Sequence, residues 1–165
     1  MHEAVLPRLL AFLDEIGLPY RRQPIEGKTF LPGLDIERGT LLIDETKLRY
    51  PGDILHEAGH IAVMTSEKRN ATQGNAGVTD GSTDGEEIAA ILWSYAALKH
   101  IGLAPEIVFH EHGYRGQSDW FIQNFTSGTY MGLPLLEWMG LTLSPKKAAE
   151  QNARPFPVMQ QWMRN

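Results

Sequence analysis

The chain has 165 residues, 42% of them hydrophobic, with a net charge of −5 and no cysteine. That length can bury a core without staples and predicts a single domain over 1–165. The charge, with no basic block or acidic tail, argues against nucleic-acid or anionic-membrane partners, and the missing thiols exclude disulfides and thiolate metal sites.

The first segment, MHEAVLPRLLAFLDEIG, carries Glu3, Asp14 and Glu15. It lacks a basic n-region and a small-residue cleavage site, so no signal peptide is expected. No uncharged run approaches a membrane span, and a cytoplasmic, membrane-free protein is the expectation. Leu6, Leu9, Leu10, Leu13 and Ile16 recur at three and four, which predicts a helix over 3–16 ended by Gly17. Pro7 should delay its start or kink it. The stretch GLDIERGTLLIDE predicts a hairpin, with Arg38-Gly39 near the turn and Thr40 to Ile43 as the second strand. Asp53 stands where an N-cap belongs, and residues 54–65 continue as a helix.

From Ser66 to Gly85 the chain is polar and rich in glycine, and a mobile loop is expected. EEIAAILWSYAALKHIG follows as a strong helix. Residues 105–131 are mixed, with HEHGYRGQSDW as a loop between helices. LPLLEWMGL and PKKAAEQNA have helical patterns, and the tail RPFPVMQQWMRN is apolar enough to dock. Trp93, Trp120, Trp138 and Trp162 read as core or docking anchors, because no basic groove accompanies them. The fold class is α+β: a small, mostly helical domain with a short antiparallel hairpin before the helix at 54–65.

That helix carries the chemistry. It spells HEAGH from His56 to His60. Residues four apart share a helix face, so His56 and His60 can offer two imidazoles to one ion. Zinc suits imidazole nitrogen and needs further ligands. Glu57 stands beside the first histidine, where its carboxylate can take a proton from a metal-activated water as that water attacks a carbonyl. Gly59 leaves room for a neighbouring element to approach.

A third ligand is required. Position 66 is Ser, so a three-histidine signature does not apply. Asp84, Glu86 and Glu87 on the next helix are the candidates. On a wheel of about 100° per residue, Ile88, Ile91, Leu92, Tyr95 and Leu98 form the apolar arc. Glu87 lies at its edge and Glu86 points nearly opposite. A ligand must face the first helix, which favours Glu87, with Glu86 second. Both also fit capping boxes, Thr83-x-x-Glu86 and Asp84-x-x-Glu87, so one can cap while the other binds. Ala90, one turn on, is small enough for close helix contact.

HEAGH followed by a glutamate on a second helix resembles the gluzincin group of zinc metallopeptidases. The layout is similar to ImmA/IrrE-type and minigluzincin domains, where a hairpin precedes the motif helix and a downstream helix gives the glutamate. The resemblance covers residues 34–100 in layout and His56, Glu57, His60 and Glu87 in motif. It implies a zincin-like, zinc-dependent peptidase acting on a peptide or protein. His56, His60 and Glu87 would be the ligands and Glu57 the general base. It also implies an edge strand that pairs with an extended substrate, here within Gly39 to Asp44.

A donor for the oxyanion must be added, usually a Tyr or His. Tyr50, His110, His112, Tyr114 and Tyr130 are available. FHEHGYRG concentrates two histidines, a tyrosine and an arginine in one loop, and Tyr114 is the choice from it. The alternative function is a zinc-bound regulatory or protein-interaction module that no longer cleaves. A third, bland reading has no metal and predicts His56 and His60 exposed and uncoordinated.

Overall fold

A computed structural model describes residues 2–72 and 84–165. Helix α1 (His2–Ile16) turns Leu9, Leu10, Phe12 and Leu13 into the core. Pro7 does not delay its start. It lies on the exposed side of the second turn, where one lost helix hydrogen bond is tolerable.

Three strands follow: β1 (Tyr20–Arg22), β2 (Leu34–Glu37) and β3 (Thr40–Ile43), in the order β1-β3-β2. β2 and β3 form the expected antiparallel hairpin. Its two turn residues, Arg38 and Gly39, have φ of 49° and 79°. Positive φ at both positions matches the strand twist of a two-residue hairpin. β1 pairs with β3 in parallel and was not expected. It makes β3 the central strand, so the expectation of an edge strand within Gly39 to Asp44 is overturned. Leu41, Leu42 and Ile43 are all buried, as a strand covered on both faces requires. Among the described residues the outer edges belong to β1 and β2.

The end of β3 is tied down by Asp44, whose buried carboxylate accepts from the backbone of Ile25 at 2.9 Å and the hydroxyl of Thr46 at 2.6 Å. The chain then enters α2 (Asp53–Val63), the histidine helix, which is buried along its whole length. The cap residue is Gly52, not Asp53. A Cβ on Gly52 would lie 1.8 Å from the carbonyl oxygen of Ile107. Only glycine permits that contact, and it presses the 105–110 segment against the start of α2.

α2 crosses the second long helix, α4 (Asp84–Ile101), at another glycine. A Cβ on Gly59 would stand 2.8 Å from the carbonyl of Ala90. Gly59 and Ala90 are therefore the close-contact pair the sequence suggested. Ala89 to Leu98 are buried without a break, so α4 is a central helix rather than an amphipathic one. Ile88, placed on the apolar arc, is instead 42% exposed.

The expected loop at 66–85 begins as a helix, α3 (Ser66–Ala71), capped by Thr65, whose hydroxyl accepts from the Lys68 backbone. α3 has no buried residue and hence no apolar period to announce it. The rest of that expectation, residues 73–83, and the Thr83 capping box lie outside the described residues.

A further helix, α5 (Ser118–Thr126), starts inside the stretch expected to be a loop. α6 (Leu133–Trp138) and α7 (Pro145–Glu150) are as expected. The tail docks: Trp162 meets Phe12 and Trp93 edge-on at 5.0 and 5.5 Å, and Trp93 Nε1–H donates to its carbonyl at 3.0 Å. Trp120 and Trp138, in contrast, are 50% and 73% exposed and anchor no core. Among the described residues no helix is long and apolar enough to cross a membrane.

Candidate metal centre

Asp53, His56, Glu57 and His60 fall at i, i+3, i+4 and i+7 of α2, so one helix face is a polar stripe, and all four are buried. Burying such a row needs compensation, because each polar group loses its water. Each member therefore has to be matched against a partner.

His56 Nε2 and His60 Nε2 are 3.2 Å apart. Glu87, at the first turn of α4, reaches both: Oε2 is 2.9 Å from His60 and Oε1 is 3.8 Å from His56. Tetrahedral zinc with bonds near 2.0–2.1 Å holds its ligand atoms roughly 3.3 Å apart. The three separations bracket that value. His56, Glu57 and His60 also offer ligand atoms within 4.8 Å of one another. Two carboxylates thus flank the imidazole pair, one from its own helix and one from α4. The residues present fit a metal ion.

The second carboxylate behaves differently. Neither oxygen of Glu57 has a hydrogen-bond partner among the described residues, and the side chain is buried. Burial pushes its pKa up to about 7, with the charge of His60 pulling the other way. An unpartnered buried carboxylate is costly and marks a place where an ion or water belongs.

Burial also pulls His56 down to about 4, helped by the neighbouring His60, so its ring is neutral at pH 7, the form that ligates. For His60 burial acts downward too. The hydrogen bond to Glu87 and the charge of Glu57 outweigh it, and its pKa is raised. Glu87 is held below the usual carboxylate range, because hydrogen bonding and charge from His60 overcome its own burial. A metal taking this place must displace the His60 proton, so binding weakens in acid.

Tyr114 lies on the far side of His56. Its Oη is 2.8 Å from Nδ1, not at Nε2 where the two histidines and Glu87 meet. Nδ1–H donating to Tyr114 leaves the Nε2 lone pair facing the convergence point. The phenol stays protonated: burial, then the charges of Asp53 and Glu87, raise its pKa well above 10. Its backbone is unusual. Tyr114, Arg115 and Gly116 have φ of 55°, 54° and 81°, a short left-handed turn. Each non-glycine residue in that region costs about 1–2 kcal/mol.

Asp53 pairs with the 110–117 loop. His110 Nε2–H donates to Asp53 Oδ1 at 2.8 Å, and the ring of Tyr50 stacks on His110 at 4.1 Å. Burial raises Asp53, and His110 partly offsets this. Sequence reasoning assigned Asp53 to capping. The i, i+3, i+4, i+7 spacing was the signal that it belongs to the site. Glu86 turns away and holds Lys68 of α3 at 2.6 Å. Tyr130 is not among the residues that line the cleft and packs on Phe156 at 4.6 Å.

A cleft of about 930 Å³ opens over this group. His56, Glu87, Tyr50, Asp53, His110, His112 and Tyr114 line it, together with Phe30, Arg49, Arg115 and Phe121. That volume suits a small ligand or a short stretch of chain.

Fold and site together define an α+β protein with a small sheet ahead of a helix whose His56-Glu57-His60 group can hold a metal ion. No protein-family model, no curated protein sequence and no solved structure matches the chain.

Proposed function

We propose that the protein is a zinc-dependent hydrolase of gluzincin type, a metallopeptidase acting on peptides or proteins in the cytoplasm. The observation that carries this reading is the convergence of His56, His60 and Glu87 beside a buried carboxylate, Glu57, that has no hydrogen-bond partner among the described residues. His56, His60 and Glu87 would hold the ion; two nitrogens and one oxygen suit zinc. When bound, the ion would supply Lewis-acid chemistry toward water and a carbonyl oxygen.

The remaining work falls to the chain. Glu57 takes a proton from the attacking water and passes it to the departing amine. Its burial beside the histidine pair, with no hydrogen-bond partner among the described residues, leaves it free for that task. Tyr114 fixes the tautomer and tilt of His56 through Nδ1, a positioning role rather than the oxyanion role the sequence suggested. Asp53 and His110 clamp the cleft wall to the start of α2.

One observation favours a second reading. The engagement of Tyr114 with His56 leaves that tyrosine unavailable as an oxyanion donor, as in a metal-binding module that does not cleave. Elemental analysis of tag-free protein comes first. About one equivalent of zinc, reduced in Glu87→Ala, is the expected result, and none after zinc loading would overturn the proposal. Peptide hydrolysis abolished by Glu57→Gln, with zinc retained, then separates enzyme from silent module.

A further inference from the structure

We propose that the cleft contains a carboxylate subsite formed by Arg49 and Arg115, so that its substrates are acidic peptides, cleaved near an apolar residue. The cleavage part of this rests on the hydrolase reading above; the recognition part does not.

Both arginines line the same cleft as His56 and Glu87. Neither makes a hydrogen bond or ion pair among the described residues. Of the seven other arginines, Arg38 and Arg154 are also without a side-chain partner among the described residues but lie outside the cleft lining, and the remaining five are engaged. Arg21 and Arg22 pair with Glu37 and Glu45, while Arg8, Arg69 and Arg164 donate to backbone carbonyls. In a protein of net charge −5, two unpaired guanidinium groups facing one cleft are a notable allocation.

Each arginine is also the chain neighbour of an anchored aromatic ring. Arg49 precedes Tyr50, which is stacked on His110 at 4.1 Å. Arg115 follows Tyr114, which is held at 2.8 Å from His56 Nδ1. The left-handed backbone at Arg115, φ 54° and ψ 38°, is strained for a residue with a side chain. Strain of this kind persists where the surrounding structure demands it and concentrates at functional sites.

The acidic lining comes from the helices, Asp53 from α2 and Asp84 and Glu87 from α4, whereas the two arginines come from separate loops. The cleft is thus polarised by element. Apolar lining at Phe30, Leu31, Ile91 and Phe121 supplies the surface for a neighbouring hydrophobic side chain. A guanidinium fork recognises a carboxylate by paired, charge-assisted hydrogen bonds. That carboxylate can belong to an acidic side chain or to the peptide's own C-terminus.

The test uses labelled hexapeptides containing one phenylalanine, with a glutamate or a glutamine beside it, each with a free or an amidated C-terminus. Binding is read by fluorescence anisotropy on zinc-supplied Glu57→Gln protein, and hydrolysis on the wild type. The expected result is about tenfold tighter binding of the carboxylate-bearing peptide, the size of one charge-assisted bond. Arg49→Gln with Arg115→Gln should collapse that ratio towards one. Arg154→Gln, which removes one positive charge outside the cleft, should leave it intact. A preference following glutamate assigns a side-chain carboxylate, and one following the free terminus assigns the C-terminus; either supports the subsite. Selective binding without hydrolysis by the wild type keeps the subsite and removes the peptidase reading. Equal binding of all four peptides, or a ratio that survives both substitutions, overturns the subsite whether or not hydrolysis is seen.

Discussion

The two ends of α2 are built on different principles. At the C-terminal end the polar groups are matched. The carbonyl of Ile61 accepts from Arg69 Nε at 3.0 Å, that of Ala62 from the Arg164 backbone at 2.9 Å, and that of Val63 from Arg164 Nη1 at 3.1 Å. Arg69 also donates to Met64 and to the tail carbonyl of Arg164. At the other end Glu57 has no hydrogen-bond partner among the described residues, His110 Nδ1 is buried without one, and Tyr114 and Arg115 occupy left-handed backbone. One helix therefore carries a sealed end that stabilises and an open end that stores cost. Native proteins concentrate such violations where chemistry happens.

The crossing at Gly59 serves both ends, so breaking it should have the largest effect. Gly59→Leu drives a side chain into the Ala90 carbonyl and is expected to leave no cooperative unfolding transition, while Gly59→Ala costs about 1–3 kcal/mol in urea titration. An unchanged midpoint for Gly59→Leu would mean that α2 and α4 do not cross there.

Arg69→Ala tests the sealed end alone. It removes a cation serving three carbonyls, and a loss of about 3–4 kcal/mol is expected. Zinc per folded molecule should stay the same. Loss of zinc in step with stability would erase the distinction between the ends.

Glu57→Gln tests the open end and carries a pH signature. The carboxyl is neutral in the folded metal-free protein up to about pH 7, but ionises from about pH 4.5 in the unfolded chain. A folded pKa above the unfolded one means that the folded state binds more protons in between, so stability falls as pH rises through that window. After chelation, the glutamine variant should match the wild type near pH 4 and exceed it by about 3 kcal/mol at pH 8. A pH-independent difference would show that Glu57 is hydrated or paired in solution.

The smallest expected change is Tyr114→Phe. Losing the support at His56 Nδ1 should weaken zinc by about 10–100-fold in chelator competition, with stability nearly unchanged. Unaltered affinity would reduce Tyr114 to a packing residue.

Legibility followed the range of the physics. HEAGH and its helix were readable because helical period is local. The hairpin was readable because Arg38-Gly39 matches a two-residue turn. β1 was not, since Tyr20–Arg22 is three residues with no alternation, and its partner lies 21 positions away in register. α3 was missed for want of an apolar face. Asp53 was read as a cap because aspartate at a helix start usually caps. Its true partner, His110, lies 57 positions on, in a segment that packs on Gly52 at Ile107.

By itself the sequence determined the α+β class, the hairpin ahead of a central helix, and the shared face of His56, Glu57 and His60. Spacing along one helix is enough for these. Tertiary structure alone decided that β3 is central, that Lys68 draws Glu86 aside while Glu87 turns to the histidines, and that Tyr114 meets His56 at Nδ1. Those outcomes depend on which segments far apart in the chain come into contact, and the close approaches at Gly52 and Gly59 decide two of those contacts.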